Sequence, residues 1–230
     1  MEYLLDNKSI EEILNGAILI VDKPQNWSSF DVVKKIRNTI TQNYKIKKIK
    51  IGHAGTLDPL ATGLLIICTG KMTKEISKLQ NQLKVYTGTF VLGSTTPSFD
   101  LESKIDNFYK INHIDKNLIN KVLPNFIGDI YQTPPIYSAI KKKGKRLYEL
   151  AREGKKTEIK ARKVFVEKFE ITKIKLPEID FLIKCGKGTY IRSIANDFGK
   201  ALNSGAHLKS LRRISSGKYL VKNAIKFTFN

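Results

Sequence analysis

The chain has 230 residues, of which 41% are hydrophobic, and it carries a formal net charge of +20. The apolar content predicts a globular protein, and the charge favours a polyanionic partner such as nucleic acid or an acidic membrane surface. No apolar run approaches the roughly 20 residues that span a bilayer, and the N-terminus is acidic and helical rather than a basic signal peptide. These features argue against a membrane-spanning or exported protein and predict a cytoplasmic one.

Cysteine and arginine are both scarce. Cys68 and Cys185 lie far apart in apolar segments, which predicts two reduced core residues rather than a disulfide framework. Of the 41 basic residues only seven are arginine, so many of the lysines are expected to be ordinary solvated surface. An arginine kept in this background is expected to be needed for its planar guanidinium group, which directs attention to Arg192, Arg212 and Arg213.

The first half of the chain predicts alternating helices and strands. Ser9 and Glu12 form a capping-box pattern that begins a short helix. "AILIVDKP" predicts a strand, and "SSFDVVKKIRNTI" predicts an amphipathic helix behind a serine cap. Leu64 to Cys68 predicts a buried strand or the start of a core element, and "MTKEISKL" predicts a short helix. "KVYTGTFVLG" predicts a strand with Tyr86 on its apolar face, followed by a polar loop, "STTPSFDLES".

The second half predicts longer strands. A helix near Asp115 to Leu123 precedes a strand, a Pro-Pro break, a basic strand or hairpin, and another helix. Two strands, Val164 to Ile174 and Ile179 to Cys185, lead into a helix in "GKGTYIRSIANDFGKAL", and the tail predicts a hairpin. This order of elements predicts an α+β fold with a large mixed, mainly antiparallel sheet flanked by helices.

One carboxylate, Asp58, stands in a constrained stretch, "KIGHAGTLDPLATGLLIICTG". The proline that follows it disfavours helical backbone at Asp58 and so directs its side chain. Gly55 and Gly63 permit tight turns or the close approach of another molecule. An ordinary Asp-Pro turn would explain the stretch by itself. Together with a basic surface and with tyrosines and arginines in glycine-bounded segments, the aspartate suits a nucleophile that acts on a nucleoside.

Other chemistries fit the sequence less well. "CTGKMT" and "CGKGT" are similar to phosphate loops, but the required first glycine is replaced by Leu65 and Phe181. The histidines and cysteines show no pairwise metal spacing, so no protein-bound metal is expected. Glycosidases generally need two carboxylates across the scissile bond, and no second acid lies near Asp58 in the sequence.

Several segments resemble, in the same order, the motifs of the TruB family of pseudouridine synthases, bacterial enzymes that isomerise the T-loop uridine at position 55 of tRNA. The segments are "LIVDKPQNWSSFDVVKKIR", "GHAGTLDPLATGLLIICTGKMTK", "KVYTGTFVLGSTTPSFD", "QTPPIYSAIKKKGKRLYELAREG", "CGKGTYIRSIANDFGKAL" and "LKSLRRISSG". The resemblance covers roughly Asn15 to Ala224 and implies a single pseudouridine synthase catalytic domain over residues 1–230. Family members usually continue into a C-terminal PUA-type RNA-binding module, which is not expected here because the chain ends at Asn230.

The resemblance implies three catalytic residues. Asp58 matches the nucleophile that attacks the target nucleoside while the uracil detaches, turns and rejoins through carbon. Arg192 matches the arginine that pairs with this nucleophile, and a nearby arginine keeps a carboxylate ionised and oriented. Tyr86 matches the aromatic residue that stacks on the flipped base.

Three further residues are implied as substrate-binding. His53 matches the histidine that holds the target nucleotide out of its loop, Tyr190 packs beneath the site, and Lys23 supports the site. The reaction is redox-neutral, so no cofactor is expected. The implied partner is the T arm of tRNA, with no protein partner and no membrane, and the protein is expected to be a monomer.

Structural interpretations and other functions remain open at this point. A tyrosine in a strand is more often a core residue, a lone His53 is more often structural, and Arg192 fits a partly buried helix residue with an acidic partner. An RNA-binding tRNA-folding factor with weak or incidental catalysis would use the same basic surface. A guide-RNA-dependent synthase is disfavoured because the basic extensions and PUA module of that type are missing from the sequence.

Overall fold

A computed structural model describes residues 8–138, 140–142, 144–153 and 158–226 of the chain. The chain divides into two compact units: a first unit of Met1–Tyr86 with Leu211–Asn230, and a second unit of Thr87–Ser210. The predicted fold class is confirmed, because the structure is α+β with a large mixed, mainly antiparallel sheet and flanking helices. The single domain predicted over residues 1–230 stays a prediction. None of the helices in the described ranges has the length and apolar character needed to cross a membrane.

The regular elements alternate along the chain much as the sequence predicts. The α-helices are α1 (Ile10–Gly16), α2 (Ser29–Asn43), α3 (Ile76–Gln80), α4 (Lys116–Val122), α5 (Leu147–Arg152) and α6 (Ile191–Ala201). The strands of the first half are β1 (Ile18–Lys23), β2 (Ile51–His53), β3 (Thr62–Thr69), β4 (Lys84–Leu92), β5 (Ser94–Thr95) and β6 (Asn107–Phe108). The later strands are β7 (Gly128–Gln132), β8 (Lys141–Lys142), β9 (Lys145–Arg146), β10 (Arg162–Lys175), β11 (Glu178–Cys185), β12 (Ala206–Ser216), β13 (Tyr219–Leu220) and β14 (Ile225–Lys226).

In the first unit the strands hydrogen-bond in the order β14–β1–β3–β12, with β2 also on β3 and β13 on β12. Strand β3 is buried on both faces. Leu65 and Ile67 pack with residues of α1 and α2, whereas Leu64, Ile66 and Cys68 belong to a second apolar cluster. Because neither face meets water, the strand has a continuous apolar sequence rather than an alternating one. The buried strand predicted at Leu64 to Cys68 is therefore confirmed.

The two N-terminal helices begin as the sequence predicts. Both have complete capping boxes, formed by Ser9 with Glu12 and by Ser28 with Asp31. In each box the serine and the carboxylate accept hydrogen bonds from backbone N–H groups that the helix leaves without internal partners. Helix α2 then buries one face against the sheet, through Val32, Val33, Ile36 and Ile40.

In the second unit the strands run in the order β4–β11–β10–β7. The core contains a cluster of phenylalanine rings in edge-on and tilted contacts, formed by Phe90, Phe126, Phe169, Phe181 and Phe198. Phe198 lies on the apolar face of α6, so burial of this ring holds the helix against the sheet. The predicted tail hairpin is present as β12 and β13. For the basic segment the sequence left a strand or a hairpin open, and the structure has a hairpin, β8 and β9.

One local prediction differs from the structure. The helix predicted in "MTKEISKL" divides into a 3₁₀ helix, Gly70–Glu75, and α3. Both cysteines are free and buried, as predicted.

Candidate active site

The loop between β2 and β3 carries Asp58. The Asp58 side chain is half-buried, whereas its neighbour Leu57 is buried. The Asp58 carbonyl oxygen accepts a hydrogen bond from Ala61 N at 3.1 Å. Ser29 of α2 holds the preceding residue from both sides, since its Oγ accepts from Leu57 N at 2.8 Å and donates to Leu57 O at 3.0 Å. The backbone at Asp58 is therefore fixed by contacts outside its own turn.

Lys23, at the end of β1, connects the residue after Asp58 to the turn that precedes α2. Its side chain is fully buried, and its Nζ donates to Pro24 O at 2.9 Å, Trp27 O at 2.6 Å and Pro59 O at 3.3 Å. Burial lowers the pKa of Lys23 to about 8, although Asp58 acts in the opposite direction. Its described contacts are structural ones, and the substrate-binding role predicted for Lys23 stays a prediction.

Arg213 lies in β12, the strand parallel to β3, and also binds the loop between β2 and β3. Its side chain is 2% exposed and donates from Nε to Leu64 O at 2.7 Å, from Nη1 to Thr56 O at 3.4 Å and from Nη2 to Gly55 O at 3.1 Å. A guanidinium group can make these three bonds at once because its donors form a rigid planar fork. A side chain at Gly63 would overlap the Arg213 backbone, which explains the glycine there.

His53, the last residue of β2, lies at the start of this loop. Burial, and secondarily the charge of Arg213, lower the pKa of His53 below its usual value. The imidazole is therefore neutral at pH 7 and can donate from one nitrogen and accept at the other. Its Nδ1 atom is buried and has no hydrogen-bond partner among the described residues. The backbone of Gly55 also interacts with the ring and raises its pKa, against the two larger effects. The substrate-binding role of His53 stays a prediction.

Tyr86 lies in β4, on the buried face of the strand, and its side chain is 9% exposed. The predicted strand and the predicted face are both confirmed. Burial of this degree agrees with either a core residue or a stacking platform, so the catalytic role of Tyr86 stays a prediction.

In the second unit, Arg192 lies in the first turn of α6 with only 3% of its side chain exposed. Its Nη1 donates to Ser98 O at 3.3 Å and its Nη2 to Tyr137 O at 3.0 Å, and its Nε lies 3.6 Å from Asp100 Oδ2. Asp100 is itself buried, and its Oδ1 accepts from Glu102 N at 3.0 Å. Partial burial with an acidic partner was one of the interpretations open for Arg192, and Asp100 is such a partner.

The loop that holds Asp100 is more ordered than its polar sequence suggests. Thr96 Oγ1 and Ser98 Oγ both donate to Asp100 O, at 2.7 Å and 3.1 Å, and Ser98 N donates to Ser103 Oγ at 3.0 Å. Hydroxyl side chains that bond to nearby backbone stabilise turns of this kind. The polar residues that made the segment look like a solvated loop are therefore the ones that fold it around a buried carboxylate.

Tyr190 caps α6 and is held by Gln132 at the end of β7. Gln132 Oε1 accepts from Tyr190 N at 2.7 Å, and Gln132 Nε2 donates to Tyr190 O at 3.1 Å. Ser193 Oγ also donates to Thr133 O at 2.8 Å. The start of α6, and with it Arg192, is thereby bound to the residues that follow β7.

The structure thus brings together some of the predicted residues and adds others. In the first unit, Asp58 lies in the loop between β2 and β3, His53 lies at the start of that loop, and Lys23 donates a hydrogen bond to it. Arg192 and Tyr190 are neighbours in the second unit. Ser29, Asp100, Gln132 and Arg213 were not predicted as site residues, although the scarcity of arginine had directed attention to Arg213. Arg212 also uses its fork, donating to both carboxylate oxygens of Asp22 at 3.0 Å and 2.7 Å.

The described residues contain no group of three or more His, Cys, Asp or Glu side chains arranged to hold a metal ion. The loop offers a single fixed carboxylate, Asp58, whose charge interacts with the buried ammonium group of Lys23. The imidazole of His53 lies at the start of the same loop. A carboxylate in this setting can act as a nucleophile or orient a substrate.

Comparisons with known proteins agree on one family. The sequence model described as "TruB family pseudouridylate synthase (N terminal domain)" matches residues 41–191. The tRNA pseudouridine synthase B of Flavobacterium johnsoniae is 59% identical over 219 residues, which cover 95% of this chain and 96% of that protein. The protein of the same name from Parabacteroides distasonis is 50% identical over 207 residues, covering 90% of this chain and 88% of that protein.

Solved structures give the same result for the fold. A chain in a crystal structure of a Cbf5-Nop10-Gar1 complex has a TM-score of 0.70 and 27% identity. A chain in a structure of an H/ACA RNP bound to a substrate RNA has a TM-score of 0.67 and 25% identity. The matches cover 96% and 97% of this chain but only 55% of each solved chain, so this chain spans about half their length.

Proposed function

Because the chain belongs to the TruB family of pseudouridine synthases, we propose that it isomerises uridine to pseudouridine in tRNA, at position 55 of the T loop. Pseudouridine synthases are isomerases, and their reaction replaces a nitrogen–carbon glycosidic bond with a carbon–carbon one. Since nothing is oxidised or reduced overall, the reaction needs no redox cofactor. The substrate is tRNA, as in the names of the relatives at 59% and 50% identity.

The observation that carries the proposal is the anchored carboxylate. Three separate side chains, Ser29, Lys23 and Arg213, fix the backbone on either side of Asp58, while its own side chain stays half-buried rather than sealed in the core. A nucleophile needs this combination of fixed direction and access to substrate. We assign the nucleophilic role to Asp58.

The remaining assignments follow the same proposal. Arg192 orients the nucleophile and stabilises its charge, and Tyr86 stacks on the flipped base. His53 holds the target nucleotide out of its loop through its neutral ring, Tyr190 lies beneath the base, and Lys23 holds the loop in place. An enzyme that acts on a base must first take it out of the stack, and stacking on aromatic rings then holds it. The monomeric state and the cytoplasmic location predicted from the sequence remain predictions.

An unmodified tRNA transcript, with no guide RNA and no other protein, gives the direct test. Incubation with the purified chain should produce pseudouridine at position 55, and Asp58→Asn should abolish it while leaving tRNA binding in place, because an amide is not a nucleophile. Asp106→Asn changes a carboxylate bound to Thr95 Oγ1 in the second unit and is the matched control. Residual turnover of Asp58→Asn within about tenfold of the parent would refute the nucleophile. Absence of pseudouridine with the parent chain would refute the enzyme and favour an RNA-binding folding factor.

A further inference from the structure

The chain between Asp31 and Asp58 contains seven lysine and arginine residues and no acidic residue. Four of these cations follow one another closely after α2, namely Lys45, Lys47, Lys48 and Lys50. All four side chains are exposed, and together they form what we call the basic ridge. A local excess of positive charge of this kind attracts polyanions.

The ridge has a fixed backbone. Ile49 is buried and Ile46 is partly buried, and both pack into the apolar cluster that includes α2 and β3. Ile46 N donates to Thr41 O at 3.1 Å, and Lys50 O accepts from Gly70 N at 2.9 Å. Because isoleucines alternate with lysines here, burying the isoleucines leaves the ammonium groups on the outside. The cations are therefore displayed from a defined surface.

These ammonium groups also differ from other lysines in their surroundings. Lys163, Lys168, Lys184 and Lys209 each form an ion pair with a carboxylate, supplied by Asp129, Glu170, Glu167 and Glu178 respectively. Within the part of the chain that the structure describes, no carboxylate lies within ion-pair distance of a ridge lysine. The ridge lysines can therefore pair with an external anion without first breaking an ion pair within the described part of the chain.

The position of the ridge indicates which anion it meets. Lys50 directly precedes β2, and that strand ends at His53, about 10 Å away at 3.3 Å per extended residue. His53 is proposed to hold the target nucleotide, so the ridge lies where the adjoining nucleotides would pass. We propose that the basic ridge binds the phosphates of the RNA strand next to the target uridine. The inference rests on the proposed function and adds a binding surface to it.

Phosphate contacts supply affinity and register without reading sequence. They also make binding sensitive to salt, because each neutralised phosphate releases condensed counterions. The ridge is therefore expected to place the RNA strand beside the catalytic loop, while base recognition occurs at the loop itself. Its contribution should appear in affinity and in the salt dependence of binding.

The test compares two variants of the full chain with equal formal charge. The ridge variant combines Lys45→Gln, Lys47→Gln, Lys48→Gln and Lys50→Gln. The control variant combines Lys163→Gln, Lys168→Gln, Lys184→Gln and Lys209→Gln, which removes ion-paired lysines instead. Binding of an unmodified tRNA transcript is measured between about 50 and 200 mM salt, and thermal melting confirms that both variants fold.

The ridge variant should bind tRNA at least about tenfold more weakly, and the slope of log affinity against log salt should fall by about 0.7 to 0.9 for each phosphate that is no longer neutralised. Its kcat/KM should fall in parallel, whereas the control should stay close to the parent. Equal reductions of tRNA affinity in the two variants would show a general effect of charge and refute the proposed phosphate binding by the ridge. An unchanged slope of log affinity against log salt in the ridge variant would also refute it. Binding does not require turnover, so these results are independent of whether the parent forms pseudouridine.

Discussion

Gln132 binds Tyr190 through both ends of its side-chain amide, accepting from Tyr190 N at 2.7 Å and donating to Tyr190 O at 3.1 Å. The Gln132 side chain is 2% exposed, so water does not compete for these bonds. Tyr190 is the N-cap of α6, and Arg192 lies in the turn that follows. One buried glutamine thereby sets where the helix begins and where the arginine is placed.

Gln132→Ala removes both bonds and leaves polar backbone atoms without these partners. An unsatisfied buried group costs about 1–3 kcal/mol, which for a chain of this length lowers Tm by about 2–4 °C per kcal/mol. We also expect kcat to fall at a temperature well below Tm, because Arg192 is displaced. Tyr131→Ala is the control, since Tyr131 is the adjacent residue and is 77% exposed. Wild-type kcat in a destabilised Gln132→Ala enzyme would show that the bonds stabilise the fold without positioning Arg192.

Arg192→Lys keeps the positive charge but loses the fork. One ammonium group cannot replace the separate guanidinium atoms that face Asp100, Ser98 O and Tyr137 O. Because a misplaced catalytic group can cost about a hundredfold in rate, we expect a decrease of that order in single-turnover pseudouridine formation with little change in tRNA affinity. A normal single-turnover rate would rule out the proposed role of Arg192.

Asp100→Asn tests whether the buried carboxylate acts through Arg192. The amide keeps the shape of the side chain but removes the charge 3.6 Å from Arg192 Nε, so we expect a slower single-turnover rate. If Asp100 works only by holding Arg192, the double variant with Arg192→Lys should be little worse than Arg192→Lys alone. If the increases in activation free energy from Asp100→Asn and Arg192→Lys simply add in the double variant, Asp100 does not act through Arg192.

The sequence predicted local structure well where the signal was local. The capping box at Ser9, the serine cap of α2, the apolar face of α2 and the buried strand β3 depend on residues close together in the chain, and all are present. Asp58 stood out for a similar reason, because its proline and the surrounding glycines are sequence neighbours.

The supports of the site could not be predicted in the same way. Arg213 lies 157 residues from Thr56, and Arg192 lies 94 residues from Ser98, so only the folded chain brings these partners together. Asp100 could not be identified because it lies in a polar segment that predicts only a loop. In the structure the hydroxyl groups of that segment donate to the carbonyl oxygen of Asp100. The low number of arginines did direct attention to Arg192, Arg212 and Arg213, but it could not identify their acceptors.

The buried thiols should be unreactive in the folded protein. Burial raises the pKa of Cys68 to about 11, so almost none of it is thiolate at neutral pH. Cys185 is 1% exposed. A thiol reagent at pH 7 should label neither cysteine in the native protein and both after denaturation. Rapid labelling of either residue without denaturant would show that its part of the core opens easily.

The buried ammonium group of Lys23 predicts a decline of activity in mild alkali. Its pKa of about 8 leaves it charged at pH 7, and its protons then reach three carbonyl oxygens. Above pH 8 the neutral amine has only two N–H groups, so one carbonyl is left without its donor and the positive charge near Asp58 disappears. Single-turnover pseudouridine formation should therefore decline as the pH rises past about 8.

This decline can be separated from unfolding by the sign of the linkage. The pKa of Lys23 is lower in the folded chain than its ordinary 10.5, so between about 8 and 10.5 the unfolded chain binds more protons. The free energy of unfolding contributed by this group therefore increases with pH in that range. Lys84→Met is a matched control, because Lys84 is another buried lysine whose Nζ donates to backbone carbonyls. The alkaline decline should persist in Lys84→Met and disappear from the residual activity of Lys23→Met. A parent enzyme with constant activity through pH 9 would contradict the role given to the Lys23 charge.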